Sequence, residues 1–337
     1  MTTGSKEYQD ALQAHIRVAL EKHPQIAALF RKHQTELAHR DHEANKGTFG
    51  RLTLVAGSRG MAGAAFLSGR AAFACGQGLV KYLGPEYNRV ILQTLLPEAM
   101  YDCFEAEEGM SPEAFAERLK WGDYLIVGPG LSKDGRARRM VRAFGTPEVR
   151  DALKDKKLIV FDADALNIMA EECLDPGAVR PAEEKADGGA DAGRTILEPP
   201  VVITPHVAEM ARLTGLSIGE IKADPAEVAA SYADAHGVLV VLKDARTAVA
   251  APGRAAAMID SGCGAMAKAG SGDVLCGFIS GYTAMLHGCV EDAVPLAVFM
   301  HGIAGCAAAE KTGEHSLLAR DIAEAAGEVL ARVLSEI

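Results

Sequence analysis

The sequence predicts an α/β protein built on a central, mostly parallel sheet with helices on both faces. The first observation is a repeated alternation of short, β-prone apolar runs with longer helical segments, joined by glycine turns. The second is composition, because 49% of the 337 residues are hydrophobic and 35 are glycine. Strands separated by helices pair in parallel, so ligands are expected at the carboxyl ends of the strands.

Composition also restricts the class of partner. A formal net charge of -10 weighs against binding of a nucleic-acid backbone, which relies on clustered Lys and Arg. The seven cysteines have no C-x-x-C pair and no ligand-like spacing, so neither a disulfide framework nor a zinc site is predicted. The chain has no uninterrupted apolar stretch of about 18 residues and no signal-peptide pattern at its N-terminus. We therefore expect a cytoplasmic protein that binds neither nucleic acid nor a membrane.

The chain is predicted to consist of a helical extension, residues 1–45, and one large domain, residues 46–337. Apolar residues recur at helical spacing through the extension, with a break at Pro24, and their surface is a candidate oligomer contact. A polar, glycine-rich segment at 180–195 is expected to be an exposed insertion.

Within the domain, the pattern predicts a regular order of elements. Helices are expected after residue 63 and at 111–120, where Ser111 is the N-cap and Pro112 the first position. Further helices are expected after Pro205 and at 226–237, 295–311 and 317–334. Strands are expected at 51–57, 78–84, 90–96, 123–130, from 156 to Asp162, from 201, at 238–244, and as a pair within 247–259.

The stretch 261–284, SGCGAMAKAGSGDVLCGFISGYTA, carries the most informative chemistry. Glycine permits positive φ and close approach, so the N–H groups of Gly270, Ser271 and Gly272 can point at one anion in front of a helix N-terminus. Asp273 then lies in the first helical turn, where its carboxylate can take a proton from a hydroxyl that attacks phosphorus. The alternative is a glycine turn in which Asp273 only caps the helix.

Polar residues follow several other predicted strands, and a shared sheet edge would place them in one cleft. Asp162 and Asp164 can hold Mg²⁺ through water or cap a helix. His206 can donate to a ligand, cap a helix or pack, and Lys243 can approach a phosphate or extend to solvent. His301, in an apolar segment, is predicted to be a core or interface histidine. The clusters lie at 57–63, 128–130, 162–167, 204–209, 243–247 and 270–273.

Several motifs in order resemble one family over nearly all of 46–334. They are KGTFGRLTLVAGSRGMAGAA, VGPGLS, VFDADALN, ITPHVAEMARLTG, VLKDARTAVA, GAMAKAGSGDVLCGFISG and HGIAGCAAAEKTG. They are similar to those of the ADP-dependent NAD(P)H-hydrate dehydratases, which also form the C-terminal half of bifunctional nicotinamide-nucleotide repair enzymes. The resemblance implies a ribokinase-like fold and a hydro-lyase that uses ADP or ATP with Mg²⁺ to restore NADH or NADPH from the hydrated cofactor.

The resemblance also assigns site residues. It implies that Ala64, Gly130, His206 and Asp273 contact the hydrated cofactor. It implies that Gly272 and the loop Lys243, Asp244, Ala245, Arg246 and Thr247 contact the nucleotide. This loop reads KDART where the family usually has KGAGT, so side chains project where bare backbone is usual. We expect Arg246 to contact a phosphate or to stack on adenine.

Three functions are compatible with these residues. The first is the dehydratase, expected to be a homo-oligomer and to work with a separate epimerase on the same metabolite, because only the short helical extension precedes Lys46. The second is a kinase of the same fold that acts on a sugar or vitamin-precursor alcohol, since Asp273 and the anion site would serve it equally. The third is a nucleotide-binding protein without turnover.

Overall fold

A computed structural model describes residues 6–104, 110–180 and 198–337. The strands are β1 Arg51–Val55, β2 Leu79–Pro85, β3 Met100–Phe104, β4 Tyr124–Val127, β5 Leu158–Phe161, β6 Val201–Ile203, β7 Leu239–Leu242, β8 Thr247–Ala250 and β9 Ala257–Ile259. The helices are α1 Lys6–Lys22, α2 Pro24–Lys32, α3 Gln34–Ala38, α4 Ala62–Ala74, α5 Arg89–Leu95, α6 Pro112–Leu119, α7 Gly135–Ala143, α8 Pro147–Leu153, α9 Asp164–Glu171, α10 Val207–Thr214, α11 Ile218–Ala223, α12 Pro225–His236, α13 Ser271–Met285, α14 Val290–Thr312 and α15 Ala319–Glu336.

The strands form one sheet in the order β3-β2-β1-β4-β5-β6-β7-β8-β9. Strands β1 to β7 are parallel, with Leu54 opposite Ile126 in the β1–β4 pair, and β8 and β9 add an antiparallel edge. The chain order reverses between β1 and β4, because β2 pairs with the other side of β1. In a parallel sheet such a reversal opens a crevice at the carboxyl ends of the strands.

Helices cover both faces of the sheet, as the sequence predicts. One buried cluster joins β1 residues Leu52 and Leu54 to α1, α2, α4 and α13–α15, and the other joins Val55, Leu125 and Val127 to α6–α10 and α12. Successive strand residues therefore enter opposite clusters, which is the alternation of a pleated strand buried on both sides. The predicted fold class, a mostly parallel sheet between two helical layers, is confirmed.

The strand predicted at 90–96 is wrong. These residues form α5, and the edge strand is β3, which the sequence did not reveal. A seven-residue apolar run is compatible with either structure, and the topology decides, because parallel β2 and β3 need a crossover between them. Within α5 only Leu92 is fully buried, whereas Val90, Ile91 and Leu95 are exposed.

The extension forms α1, α2 and α3, with α2 beginning at the predicted break, Pro24. Its apolar residues Tyr8, Leu12 and Ile16 have no exposed surface, because they join the cluster of α14 and α15. Arg17 of α1 also pairs with Glu336 of α15, at 3.1 Å. The extension therefore packs on its own chain.

Helix α14 begins at Val290, earlier than the predicted Pro295, which lies inside the helix. Cys289 is the N-cap, and Pro295 falls in the second turn of the helix. Among the described residues, α14 is the one helix long and apolar enough to cross a membrane, but 94% of its apolar window is buried within the fold. Its hydrophobicity is thus explained by packing against α13, α15 and the extension.

Most of the insertion predicted at 180–195 lies outside the described residues. Its first residue, Arg180, is described and is buried rather than exposed. The Arg180 guanidinium donates hydrogen bonds to the carbonyls of Pro199 and Gly237, at 3.1 and 2.7 Å.

Candidate active site

Two glycine loops meet where the strand order reverses. The Gly57 N–H, after β1, donates to the Pro129 carbonyl, after β4, at 2.9 Å. Gly130 has φ +58°, and a Cβ there would lie 2.9 Å from the Cβ of Ala64, in the first turn of α4. Any larger residue at 130 would collide with this turn. The loops thus bring together two of the predicted substrate contacts, Ala64 and Gly130.

The N-terminus of α13 lies against the next turn of α4. Its N-cap, Gly270, has φ +94°, and a Cβ there would lie 2.5 Å from the Cδ1 of Leu67. The N–H groups of Gly272 and Asp273 have no partner among the described residues, as expected at a helix N-terminus. The Ser271 N–H, in contrast, donates to the Lys268 carbonyl at 3.3 Å. Of the three predicted donors, Ser271 is thus engaged, whereas the N–H groups of Gly270 and Gly272, together with that of Asp273, are available to an anion.

A buried ion pair lies beside the N-terminus of α13. Asp162, at the end of β5, is 2% exposed, and its Oδ1 accepts from the Lys243 ammonium at 2.7 Å and the Thr204 hydroxyl at 2.6 Å. A Cβ on Gly272 would lie 3.4 Å from Lys243 Nζ, so the ammonium faces the α13 N-terminus. Burial lowers the pKa of Lys243, but the negative charges around it, chiefly that of Asp162, outweigh this effect and hold the pKa above its usual value. Lys243 is thus a fixed positive charge beside two free backbone N–H groups.

Asp273 carries an unusual carboxylate. Burial and the neighbouring carboxylates of Asp162 and Asp164 raise the pKa of Asp273 to about 7, although Lys243 acts in the opposite direction. In the part of the chain that the structure describes, no N–H or O–H donates to this carboxylate, so it does not act as a helix cap. A carboxyl group that titrates near neutral pH and has no hydrogen-bond partner suits proton transfer.

His206 caps helix α10. Its Nδ1 accepts from the N–H groups of Ala208 and Glu209 at 3.0 and 3.2 Å, and the Glu209 carboxylate accepts from the His206 N–H at 2.8 Å. Of the roles that the sequence allowed for His206, the structure shows the helix cap. Because Nδ1 accepts these bonds, the ring proton lies on Nε2, which is 3.4 Å from Glu209 Oε1. The ring remains half-exposed.

Most of the predicted nucleotide contacts line one cleft of about 630 Å³. Arg246 and Gly270 do not line it; Arg246 is exposed, and Asp244 pairs with Lys222 at 3.6 Å. A second cavity, of about 670 Å³, lies between α3, α4 and α13 and contains none of the predicted site residues. The predicted residues in the cleft wall are His206, Lys243, Asp244, Ala245, Thr247, Ser271 and Gly272.

The cleft wall contains residues that the sequence did not assign to the site. His301 of α14, predicted as a core histidine, is 8% exposed, yet it lines the cleft, and its Nε2 has no hydrogen-bond partner among the described residues. Its ring packs edge-on against Phe278 at 5.5 Å, and burial lowers the pKa of His301 to about 4. The sequence signal was a lone His inside an apolar helix, which is also typical of core packing.

We expect His301→Phe to weaken ADP binding about 5-fold without lowering the thermal midpoint. The aromatic packing on Phe278 is retained, whereas the hydrogen bond that a bound ligand would give to the neutral Nε2 is lost, at about 1 kcal/mol. Calorimetric titration with ADP measures the effect. The loss should be constant between about pH 6 and pH 8, since a histidine with a pKa of about 4 stays neutral there. Equal affinities would make His301 a packing residue.

The charges of the site fit a divalent cation. Three carboxylates, of Asp162, Asp164 and Asp273, lie close enough to interact, and Lys243 neutralises one of them. Asp164 accepts one hydrogen bond, from the Ser132 N–H at 2.8 Å. Mg²⁺ commonly takes one or two carboxylates, water and phosphate oxygens, so Asp164, with Asp162 through water, is the best-placed ligand set.

Comparisons with known proteins agree with this geometry. Residues 52–327 match the family model described as NAD(P)H-hydrate dehydratase. A relative from Lactococcus lactis, named ADP-dependent (S)-NAD(P)H-hydrate dehydratase, is 32% identical over 79% of this chain and 85% of its own length.

Two solved structures share the fold. A ribokinase-like superfamily protein from Enterococcus faecalis has a TM-score of 0.69 at 24% identity, covering 88% of this chain and 91% of its own, which identifies the fold as ribokinase-like. The ADP/ATP-dependent NAD(P)H-hydrate dehydratase of Bacillus subtilis, co-crystallised with ATP/Mg²⁺, has a TM-score of 0.67 at 27% identity, covering 89% and 97%.

The chain spans about half the length of the bifunctional relatives that it matches, 47% of one and 53% of another. The matched region nevertheless includes both glycine loops, the Asp162–Lys243 pair and the N-terminus of α13. On the family model and the identity to its relatives, this chain belongs to the NAD(P)H-hydrate dehydratase family.

Proposed function

We propose that this protein dehydrates hydrated NADH or NADPH to the normal cofactor, with conversion of ADP to AMP and phosphate. The observation that carries the proposal is Asp273, a carboxyl group with a pKa of about 7 beside the free N–H groups of an anion-binding helix N-terminus. Family membership supports the choice of substrate, because relatives bear the name of this activity.

In the proposed first step, Asp273 takes the proton from the hydroxyl on the hydrated nicotinamide ring. The hydroxyl oxygen then attacks the terminal phosphorus of ADP, and AMP leaves. We place the ring at Ala64 and Gly130, in and against the first turn of α4, and the nucleotide in the cleft lined by Lys243 and Thr247. In this proposal Asp273, in the first turn of α13, acts between the two substrates.

Charge on the transferred phosphoryl group would be balanced by fixed donors. The N–H groups of Gly272 and Asp273 and the ammonium of Lys243 converge there, and all three are positioned before any ligand binds. Bound Mg²⁺ would add neutralisation of phosphate oxygens. In the final step phosphate is expelled from the ring with electrons from the ring nitrogen, and loss of a proton from the adjacent ring carbon then forms the carbon–carbon double bond of the dihydronicotinamide. Phosphorylation thus converts hydroxide, a poor leaving group, into a good one.

The test is an assay of the purified protein with hydrated NADH, ADP and Mg²⁺. We expect the dihydronicotinamide absorbance to return, with one phosphate released for each cofactor restored and no signal without nucleotide. ATP is tested in parallel, because the KDART loop leaves the preferred nucleotide open. An unchanged absorbance with both nucleotides, while a panel of small alcohols accumulates stable phosphate esters, would establish the kinase instead.

We further propose that the protein is a cytoplasmic homo-oligomer that works beside a separate epimerase. Helix α5 supports an oligomer contact, because Val90, Ile91 and Leu95 are 66%, 47% and 50% exposed on one short helix beside the edge strand β3. We expect Ile91→Glu to lower the mass measured by light scattering while leaving the thermal midpoint nearly unchanged. The same mass for both proteins would exclude this surface as the contact.

A further inference from the structure

A pair of cysteine thiols lies at the wall of the nucleotide cleft. Cys263 is half-buried and lines the cleft, and Cys306 of α14 lies behind it with 7% exposure. The Cys306 thiol donates a hydrogen bond to the carbonyl of Ser261 at 3.5 Å, which places Cys306 beside the loop that carries Cys263, and Cys306 is close enough to lower the pKa of the Cys263 thiol. All seven cysteines are free and lie in the described ranges.

The loop that carries Cys263 is held tightly on α14. A Cβ on Gly302 would lie 2.7 Å from the backbone carbon of Ser261, and a Cβ on Gly305 would lie 2.3 Å from the sulfur of Met266. Glycine at both positions therefore allows the loop backbone to rest directly on the helix beside Cys306. This contact holds the segment of Cys263 against the part of α14 that carries Cys306.

The two thiols have opposite protonation tendencies. The neighbouring Cys306 thiol, followed by the backbone N–H groups of Ala265 and Met266, lowers the pKa of Cys263 to about 7. The neighbouring Cys263 thiol and burial raise the pKa of Cys306. Cys263 is therefore substantially thiolate at neutral pH beside a thiol that keeps its proton, which is the arrangement of an attacking and a resolving cysteine. In contrast, Glu86 raises the pKa of the exposed Cys103.

We propose that Cys263 and Cys306 form a peroxide-reactive modification site that closes to a disulfide in the wall of the nucleotide cleft. The Cys263 thiolate attacks one oxygen of hydrogen peroxide, the O–O bond breaks, and hydroxide leaves, so that Cys263 becomes a sulfenic acid. The sulfur of Cys306 then attacks Cys263, the S–O bond breaks, and the Cys306 proton leaves with the oxygen as water. Two thiols are oxidised and one peroxide is reduced to two molecules of water.

A disulfide between Cys263 and Cys306 would also change the shape of the nucleotide cleft, a consequence that rests on the proposed function. A disulfide requires about 2.05 Å between the sulfur atoms, which is shorter than any thiol hydrogen bond, so closure draws Cys263 toward α14. The segment 261–266, which contributes Ser261, Gly262, Gly264 and Met266 to the cleft wall, must follow. We therefore expect the linked protein to bind ADP about 5-fold more weakly, a loss that thiol reduction restores.

The experiment treats the full-length protein with equimolar hydrogen peroxide at pH 7.0–7.5, a range set about the pKa of Cys263. Intact-mass measurement should show the loss of two hydrogen atoms, and non-reducing peptide mapping should join the peptides of Cys263 and Cys306. Oxygen addition at Cys103 or Cys173, with Cys263 and Cys306 both still free, would overturn the proposal. The map needs no variant and no activity, so its result is independent of the proposed function.

Two variants resolve the steps. In C306S the sulfenic acid cannot be resolved, so a cyclic diketone that traps sulfenic acids should label Cys263. In C103S, the matched control at an exposed cysteine, the Cys263–Cys306 link should form as in the unmodified sequence. Equal diketone labelling of C306S and the unmodified sequence would refute Cys306 as the resolving thiol. An ADP affinity that is the same for linked and reduced protein would refute the effect on the cleft.

Discussion

Asp273→Asn is expected to lower turnover by about 10²- to 10⁴-fold while leaving folding and ADP binding intact. Asparagine has nearly the same shape as aspartate but cannot accept the proton of the ring hydroxyl. Because Asp273 accepts no hydrogen bond among the described residues, the change breaks no cap of α13. Steady-state rates of cofactor restoration, with ADP affinity measured by calorimetry, separate the loss of a base from the loss of binding.

The pH dependence gives an independent test of the same residue. Because the pKa of Asp273 is about 7, the base is ionised above that pH, and turnover should rise as pH increases through about 7. Asp273→Asn should remove this rise from the remaining activity. A rate near that of the unmodified sequence, or an unchanged pH profile, would show that another group takes the proton.

The raised pKa also has a consequence for stability. Its folded value lies above the ordinary value of 3.8, so the folded protein binds this proton more tightly than the unfolded chain does. The resulting stabilisation is complete below about pH 4 and is lost as pH rises through about 7. Asp273→Asn should therefore raise the free energy of unfolding at pH 8 and change it little at pH 4.

Lys243→Met is expected to reduce the free energy of unfolding by about 3–5 kcal/mol, the typical cost of leaving a buried charge without its partner. Asp162 is 2% exposed, and after the substitution only the Thr204 hydroxyl would still donate to the carboxylate oxygen that both groups share. ADP affinity should fall as well, since Lys243 Nζ faces the N-terminus of α13. Chemical denaturation and ADP titration measure the two effects.

Two further variants control for this prediction. Adding Asp162→Asn to Lys243→Met should recover most of the stability, because the buried charge is removed, while ADP binding stays weak. Lys222→Met is the matched surface control: its ion pair with Asp244 spans 3.6 Å between largely exposed side chains, so the change should cost less than about 1 kcal/mol. If Lys243→Met and Lys222→Met were equally stable, the Asp162–Lys243 pair would have no structural role.

Much of the fold followed from the local pattern. Some elements could be predicted because their apolar periodicity and their capping residues lie in consecutive positions of the sequence. They are the strands β1, β4, β5 and β7, the hairpin β8–β9 and the Ser111-capped helix α6. The grouping of Asp162, Lys243 and Asp273 could also be predicted, since parallel strands end at one edge of a sheet. Helix α5 could not, because a short apolar run has no period that separates strand from helix.

The sequence by itself determined the α/β class, the family and several of the residues that line the cleft, because each depends on residue types at fixed local spacing. Only the tertiary structure decided what those residues do. Asp273 has a pKa of about 7 because the fold buries it near two carboxylates, and His301 lines the cleft because α14 packs behind the 261–266 loop. Cys263 and Cys306 become a pair for the same reason. Burial and contacts between residues far apart in the chain exist only after the sheet has assembled, so no local pattern records them.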